Sequence, residues 1–302
     1  RVDNDGVVQD KMMKLFKKEL VWIRRQPKAR GTKAKSRVDK FDEIKSEAFS
    51  GTDDGTLSLD IEPARLGSKI LEAHAITKSF DDLKIVESFS YKFKKGERVG
   101  IAGPNGAGKS TALRCLVGLA KPTSGKARVL GKRYPQLKNP STRVGVVLDS
   151  RGFHPGLTGY QNLRVLASMA GLGGQRVEEV LAQVELSDAR NKRVKGYSLG
   201  MKQRLSLAAA ILGNPEVLIL DEPANGLDPA GIAWLRGFIS AQAAAGTTVL
   251  VSSHQLAELQ NTVDDVIIID HGQLIAAGTL EDITAGQSLE QAFLRLTQGG
   301  VS

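Results

Sequence analysis

The sequence has one cysteine, Cys115, in 302 residues. That excludes a disulfide framework and fits a reducing compartment. Aromatic residues are scarce, at 5%. No stretch approaches the ~18 uninterrupted apolar residues of a membrane span, so the chain is not expected to cross a bilayer alone. No cationic-then-apolar leader follows Arg1, so no secretory signal is read, and the missing Met points to a trimmed start. Internal repeats and low-complexity tracts are also missing. What remains is ordinary globular usage, 41% hydrophobic and 25% charged, which excludes global disorder. The length suits one domain of about 200–230 residues plus extras.

The net charge of +9 is unevenly placed. Residues 11–45 hold thirteen Lys/Arg against four acids, which leaves the rest of the chain neutral. Within that arm Met13, Phe16, Leu20 and Ile23 share one helical face, and Val38, Phe41, Ile44 and Ala48 share another. Pro27 and Gly31 separate the two stripes, so residues 1–48 read as a basic helical hairpin. Such a bias, with Trp22 interleaved, suits either a solvated face or contact with ribosomal RNA or tRNA. Residues 49–68 lose the periodicity and read as a linker.

From residue 69 to about 285 the texture alternates between strands and helices. Strands are expected at Lys69–Lys78, Arg98–Ala102, Ala127–Leu130, Arg143–Leu148, Val217–Leu220, Thr248–Ser252 and Val266–Ile269. Helices are expected near 109–118, 159–171, 175–184, 200–213, 230–245 and 255–262. The pattern indicates an α/β domain with a largely parallel sheet, interrupted by a helical subdomain over about 150–205. Residues 286–302 read as a C-terminal tail.

Two motifs carry chemistry. Gly103, Pro104, Asn105, Gly106, Ala107, Gly108, Lys109, Ser110 and Thr111 follow an apolar strand and open a helix, with the spacing of a phosphate-binding P-loop. Small residues let backbone N–H groups close around phosphate oxygens, and the helix start adds partial positive charge. Lys109 can reach the terminal phosphates, and the Ser110 hydroxyl can ligate Mg²⁺. Cys115, on the same helix, reads as a buried packing residue. The second motif is Val217–Leu220 followed by Asp221, Glu222 and Pro223: a buried strand ending in two carboxylates, at the sheet edge where open α/β folds bind ligands. Asp221 suits Mg²⁺, and Glu222 suits the base that polarises an attacking water.

Between and after these motifs come Tyr197-Ser198-Leu199-Gly200-Met201-Lys202-Gln203-Arg204, then Asn225-Gly226-Leu227-Asp228-Pro229, then His254. In this order the motifs resemble those of an ABC-type ATPase over about 69–285. The resemblance implies a P-loop NTPase fold of ABC type, preceded here by the basic helical hairpin. It implies ATP sandwiched between two such domains, with Ser198 and Gly200 binding the γ-phosphate held by the other domain. His254 would hold the γ-phosphate and Phe80 would stack on adenine. The signature departs from the usual Leu-Ser-Gly-Gly-Gln and resembles a variant of drug- and antibiotic-export ATPases. Asp149 stands in place of a loop glutamine and would act toward Mg²⁺ and water.

The resemblance is split. Residues 1 to about 111 resemble the arm and second ATPase domain of an ABC-F translation factor of Uup-like kind. Residues from about 118, and the tail Ser288-Leu-Glu-Gln-Ala-Phe-Leu-Arg-Leu-Thr, resemble an exporter ATP-binding subunit. A seam in or just after the P-loop is what a chimera would show. The favoured expectation is an exporter's ATP-hydrolysing subunit, paired with a second ATPase domain and with separate membrane-spanning subunits, at the inner face of the cell membrane. The alternatives are a ribosome-associated translation factor and a non-catalytic binding module, the latter opposed by Glu222.

Overall fold

The computed structural model of the chain describes residues 70–81, 83–148 and 152–298. The basic arm, the linker and Asp149, all singled out in the sequence, lie outside the described residues.

The strands are β1 (Leu71–Phe80), β2 (Leu83–Phe93), β3 (Arg98–Ala102), β4 (Ser124–Val129), β5 (Val144–Val147), β6 (Val217–Asp221), β7 (Thr248–Ser253), β8 (Asp265–Asp270) and β9 (Gln273–Thr279). They form one sheet in the order β4-β1-β2-β9-β8-β3-β7-β6-β5. The helices are α1 (Lys109–Leu116), α2 (Pro140–Arg143), α3 (Gly159–Met169), α4 (Gly174–Gln183), α5 (Leu199–Ile211), α6 (Pro229–Ala244), α7 (Leu256–Gln260), α8 (Leu280–Thr284) and α9 (Leu289–Gln298).

The middle of the sheet is parallel, with β3 between β8 and β7 and the run continuing through β6 to β5. Its strands are mostly apolar because both faces are covered. In β6, Val217 and Ile219 face the core beneath α1, while Leu218 and Leu220 face the core shared with the α3–α5 helices. β8 alternates in the same way, Ile267 and Ile269 against Val266 and Ile268.

The sheet is largely parallel, as expected, and its antiparallel pairings all lie on one side of it. β1 pairs antiparallel with β2 and β4, and β8 pairs antiparallel with β9. Neither β2 nor β9 was expected. Register shifts interrupt the β1–β2 ladder, and Ala75 and Ser88 take positive φ values of 45° and 50°. These irregularities break the period-two alternation that marks a strand. Along β2 the buried residues Val86, Phe89 and Phe93 recur at spacings of three and four, which imitates a helix. The expected 286–302 tail also contains structure: α9 buries Leu289 and Ala292 fully, and Leu289 N–H donates to Gln260 Oε1 at 2.6 Å.

Helix ends follow local chemistry. Thr158 and Gln161 form a reciprocal capping box at α3. Asp228 caps α6, where Pro229 takes the first helical position. α1 begins differently. Gly108 precedes it with φ +98°, no side chain caps it, and no acid occupies its first turn.

Candidate functional site

The loop from Gly103 to Gly108 leaves the C-terminal end of β3 and turns directly into α1. A Cβ at Gly108 would lie 2.3 Å from the Ile85 carbonyl oxygen, and one at Gly103 would lie 2.2 Å from that of Ile269. Those neighbours are backbone and cannot move aside, so only glycine fits at either position. Pro104, Asn105 and Gly106 are exposed at the tip, and Ala107 N–H closes the turn on Pro104 O at 3.2 Å.

Lys109 folds its side chain back into this loop. Its ammonium donates to Gly103 O at 2.7 Å and Pro104 O at 3.0 Å, and pairs with Glu222 Oε1 at 3.2 Å. The side chain is only 5% exposed, so its charge is held by these three oxygens. Glu222 links onward: its Oε2 accepts from Nδ1 of His254 at 2.7 Å and from the His254 backbone N–H at 3.3 Å. The structure therefore joins Lys109, Glu222 and His254 into one chain, at the edge where β3, β6 and β7 end. Glu222 itself has φ +49°. Asp221, the last residue of β6, accepts from Ser252 Oγ at 2.5 Å.

Asp221 and Glu222 also line a cleft of about 750 Å³, which reaches Phe153, Lys195, Leu199, Lys202 and Gln203 on the helical side. Ser198 and Gly200 are not among the residues around that cleft. They line a second hollow of about 460 Å³ with Arg204, Gly226, Asp228 and Trp234. Ser198 caps α5, its hydroxyl accepting from Met201 N–H at 3.2 Å. Arg204 stacks its guanidinium 4.0 Å above the Trp234 ring and bonds to Glu185. Phe80 is about half exposed at the end of β1, with Lys78 Nζ 4.5 Å from its centroid. Cys115 is buried as expected, and burial pushes its thiol pKa up, opposed by the charge of Lys78.

Ser252 went unnoticed in the sequence, where it reads as the polar end of an apolar strand. Its partners become visible only once β6 and β7 are paired, with Asp221 opposite Ser252.

The arrangement suits a phosphate-bearing ligand on three counts. α1 presents an uncapped, acid-free N-terminus, a buried ammonium lies in the loop beside it, and glycines bring the backbone close. The sequence motifs also offer donor types that a hard divalent cation takes. One hydroxyl, from Ser110, and one carboxylate, from Asp221, suit Mg²⁺, which keeps several waters and takes other oxygens from phosphates.

Comparison with known proteins agrees. Residues 86–225 match the model of the family described as "ABC transporter". The chain is 39% identical over 217 residues to the "Bacitracin transport ATP-binding protein BcrA" of Enterococcus faecalis, covering 71% of this chain and 70% of that protein. It is 33% identical over 224 residues to the "Lantibiotic transport ATP-binding protein SrtF" of Streptococcus pyogenes, covering 74% of this chain and 96% of that protein. A solved structure of an "ATP binding subunit of ABC transporter" superposes with a TM-score of 0.69 at 29% identity, covering 76% of this chain and 99% of that one.

Proposed function

Given that the chain belongs to the ABC transporter family of ATP-binding proteins, and is an ATPase of that family, we propose that it is the ATP-hydrolysing subunit of an exporter. It works at the inner face of the cell membrane, paired with a second ATPase domain and with membrane-spanning subunits made as separate chains. Among the described residues no helix is long and apolar enough to cross a membrane, so the translocation path belongs to those subunits. The names of the relatives, bacitracin and lantibiotic transport proteins, point to peptide antibiotics as the exported class. α3 exposes Val165, Leu166 and Met169, an apolar face open to a membrane subunit.

The observation that carries the reading is the Lys109–Glu222–His254 chain beside a loop that admits only glycine at 103 and 108. In this reading the loop and Lys109 bind the β- and γ-phosphates of ATP, with Phe80 against the adenine. When phosphate enters, Lys109 exchanges the Glu222 carboxylate for phosphate oxygen. Glu222 is then free to accept a proton-donating contact from the attacking water, while His254 Nδ1–H keeps its other oxygen fixed. Ser110 and Asp221 would hold Mg²⁺, which would supply charge neutralisation on the phosphate oxygens. Most of the acceleration comes from positioning and preorganised charge. Ser198 and Gly200, gathered at their own hollow, are left to meet the ATP of a second domain.

The thirteen cations of residues 11–45 are the feature that favours a translation factor. None of the relatives named above is one, and the exporter reading rests on the larger part of the chain. Two measurements on the full chain decide. The purified protein should hydrolyse ATP only with Mg²⁺, and it should co-purify from its host with membrane proteins. Co-purification with ribosomes, lost at high salt, would replace the exporter reading.

A further inference from the structure

Ser252 is wholly buried on β7 and lies directly opposite Asp221 in the ladder with β6. Its hydroxyl makes two bonds. It donates to Asp221 Oδ1 at 2.5 Å, and it accepts the Glu222 backbone N–H at 3.0 Å. The same N–H is shared with the Ser252 carbonyl at 3.2 Å. A hydroxyl has one proton to give. With that proton committed to Asp221 and a lone pair committed to Glu222, its rotamer is fixed from both sides.

We propose that Ser252 is a positioning residue for hydrolysis, one hydroxyl setting both the Asp221 carboxylate and the backbone of Glu222. The inference rests on the ATPase reading above. Its Asp221 half concerns metal geometry. Binding one carboxylate oxygen fixes the group's rotation and leaves Oδ2 without a protein partner among the described residues, available toward Mg²⁺ and its waters. Its Glu222 half concerns the base. Glu222 has φ +49°, a conformation unfavourable for an L-residue that persists only where its surroundings hold it. Two acceptors on Ser252 hold its N–H there. The neighbouring Ser253 is spent otherwise: its hydroxyl accepts from Gln255 N–H at 3.0 Å, shaping the turn into α7.

The test uses the full chain with Ser252→Ala and Ser252→Cys. Cysteine fills the space of serine but is a weak donor, so it separates packing from hydrogen bonding. Removing a partner that orients a metal-binding carboxylate costs about 10–100-fold in metal affinity or activity. Both variants should therefore lose kcat by about that factor while KM for ATP moves less than about threefold. Mn²⁺ bound with a non-hydrolysable ATP analogue, followed by electron paramagnetic resonance, should bind correspondingly weaker. Nucleotide affinity in EDTA should be unchanged. Retention of wild-type kcat and Mn²⁺ affinity by either variant would overturn the inference, and if the alanine variant fails to fold the cysteine variant alone decides. Should the wild-type chain itself fail to hydrolyse Mg-ATP, the ATPase reading falls and this inference with it.

Discussion

Replacing Lys109 by alanine separates two roles of one ammonium. Without nucleotide the group neutralises Glu222 and satisfies the carbonyls of Gly103 and Pro104 from a nearly buried position. Breaking a buried pair by removing one partner costs about 3–5 kcal/mol when the survivor is stranded. Glu222 is not stranded: it keeps two contacts from His254 and is 18% exposed. A loss of about 1–2 kcal/mol is the better expectation, which for a domain of this size lowers Tm by about 2–8 °C. For ATP the ammonium makes a charge-assisted contact of about 1.5–3 kcal/mol, a ten- to hundredfold effect on Kd. Because wild-type Lys109 must give up Glu222 to make that contact, the effect should lie toward tenfold. Lys109→Met fills the space without the charge, so it should recover part of the stability and none of the affinity. Differential scanning fluorimetry reads the first effect and isothermal titration with ATP the second. Unchanged ATP affinity in the alanine variant would refute the placement of phosphate at this loop.

Glu222→Gln keeps the shape but removes the carboxylate that competes for Lys109 and polarises water. Hydrolysis should fall by orders of magnitude, ATP should bind slightly more tightly, and light scattering with Mg-ATP should show a persistent dimer. A monomer with ATP demonstrably bound would mean that a different chain supplies the second signature. Gly108→Ala places a Cβ 2.3 Å from the Ile85 carbonyl oxygen at φ +98°, and should cost several kcal/mol or abolish folding, read by urea titration. Asp264 accepts from Arg98 at 2.5 and 2.9 Å, and that bond holds its carboxyl below the usual carboxylate range. A depressed folded pKa gives stability that is present above the unfolded value of about 3.9 and lost as pH falls through the folded one. Asp264→Asn should therefore cost under about 1 kcal/mol at neutral pH, since the pair is partly exposed. The difference from wild type should vanish in acid. A gap that persists once acid has protonated Asp264 in the folded protein would assign the effect to packing.

The parallel half of the fold was legible because its strands are fully buried and their ends carry chemistry. Val217–Asp221 appears in sequence as a run of apolar residues followed by two carboxylates, and it folds as one strand with those carboxylates at its end. Lys109, Glu222 and His254 lie far apart in sequence, but each directly follows a strand end or P-loop, so topology alone brings them together. Ser252 was illegible for the opposite reason. A serine beside an apolar run has many uses, and only the register of β6 on β7 sets its hydroxyl against Asp221. In the antiparallel lobe β1 and part of β4 were legible, but β2 was not, because bulges on its ladder with β1 remove the alternation that reveals a strand.

The missed strand β2 and the turn before the missed strand β9 are nevertheless what grip the loop. Ile85 of β2 presents its carbonyl oxygen where a Cβ at Gly108 or Gly272 would sit, at 2.3 and 2.6 Å. Gly272, in the turn between β8 and β9, donates its N–H to Ala107 O at 3.1 Å and accepts Glu87 N–H at 2.7 Å. One turn glycine thus ties the phosphate loop to β2, and the antiparallel β8–β9 hairpin brings that glycine there. The parallel strands supply the side chains proposed for catalysis, but the backbone cradle depends on close packing against segments that carry no side-chain motif. Glycine at 103, 108 and 272 is therefore the trace those segments leave in the sequence: each marks a place where another strand or turn approaches too closely for any Cβ.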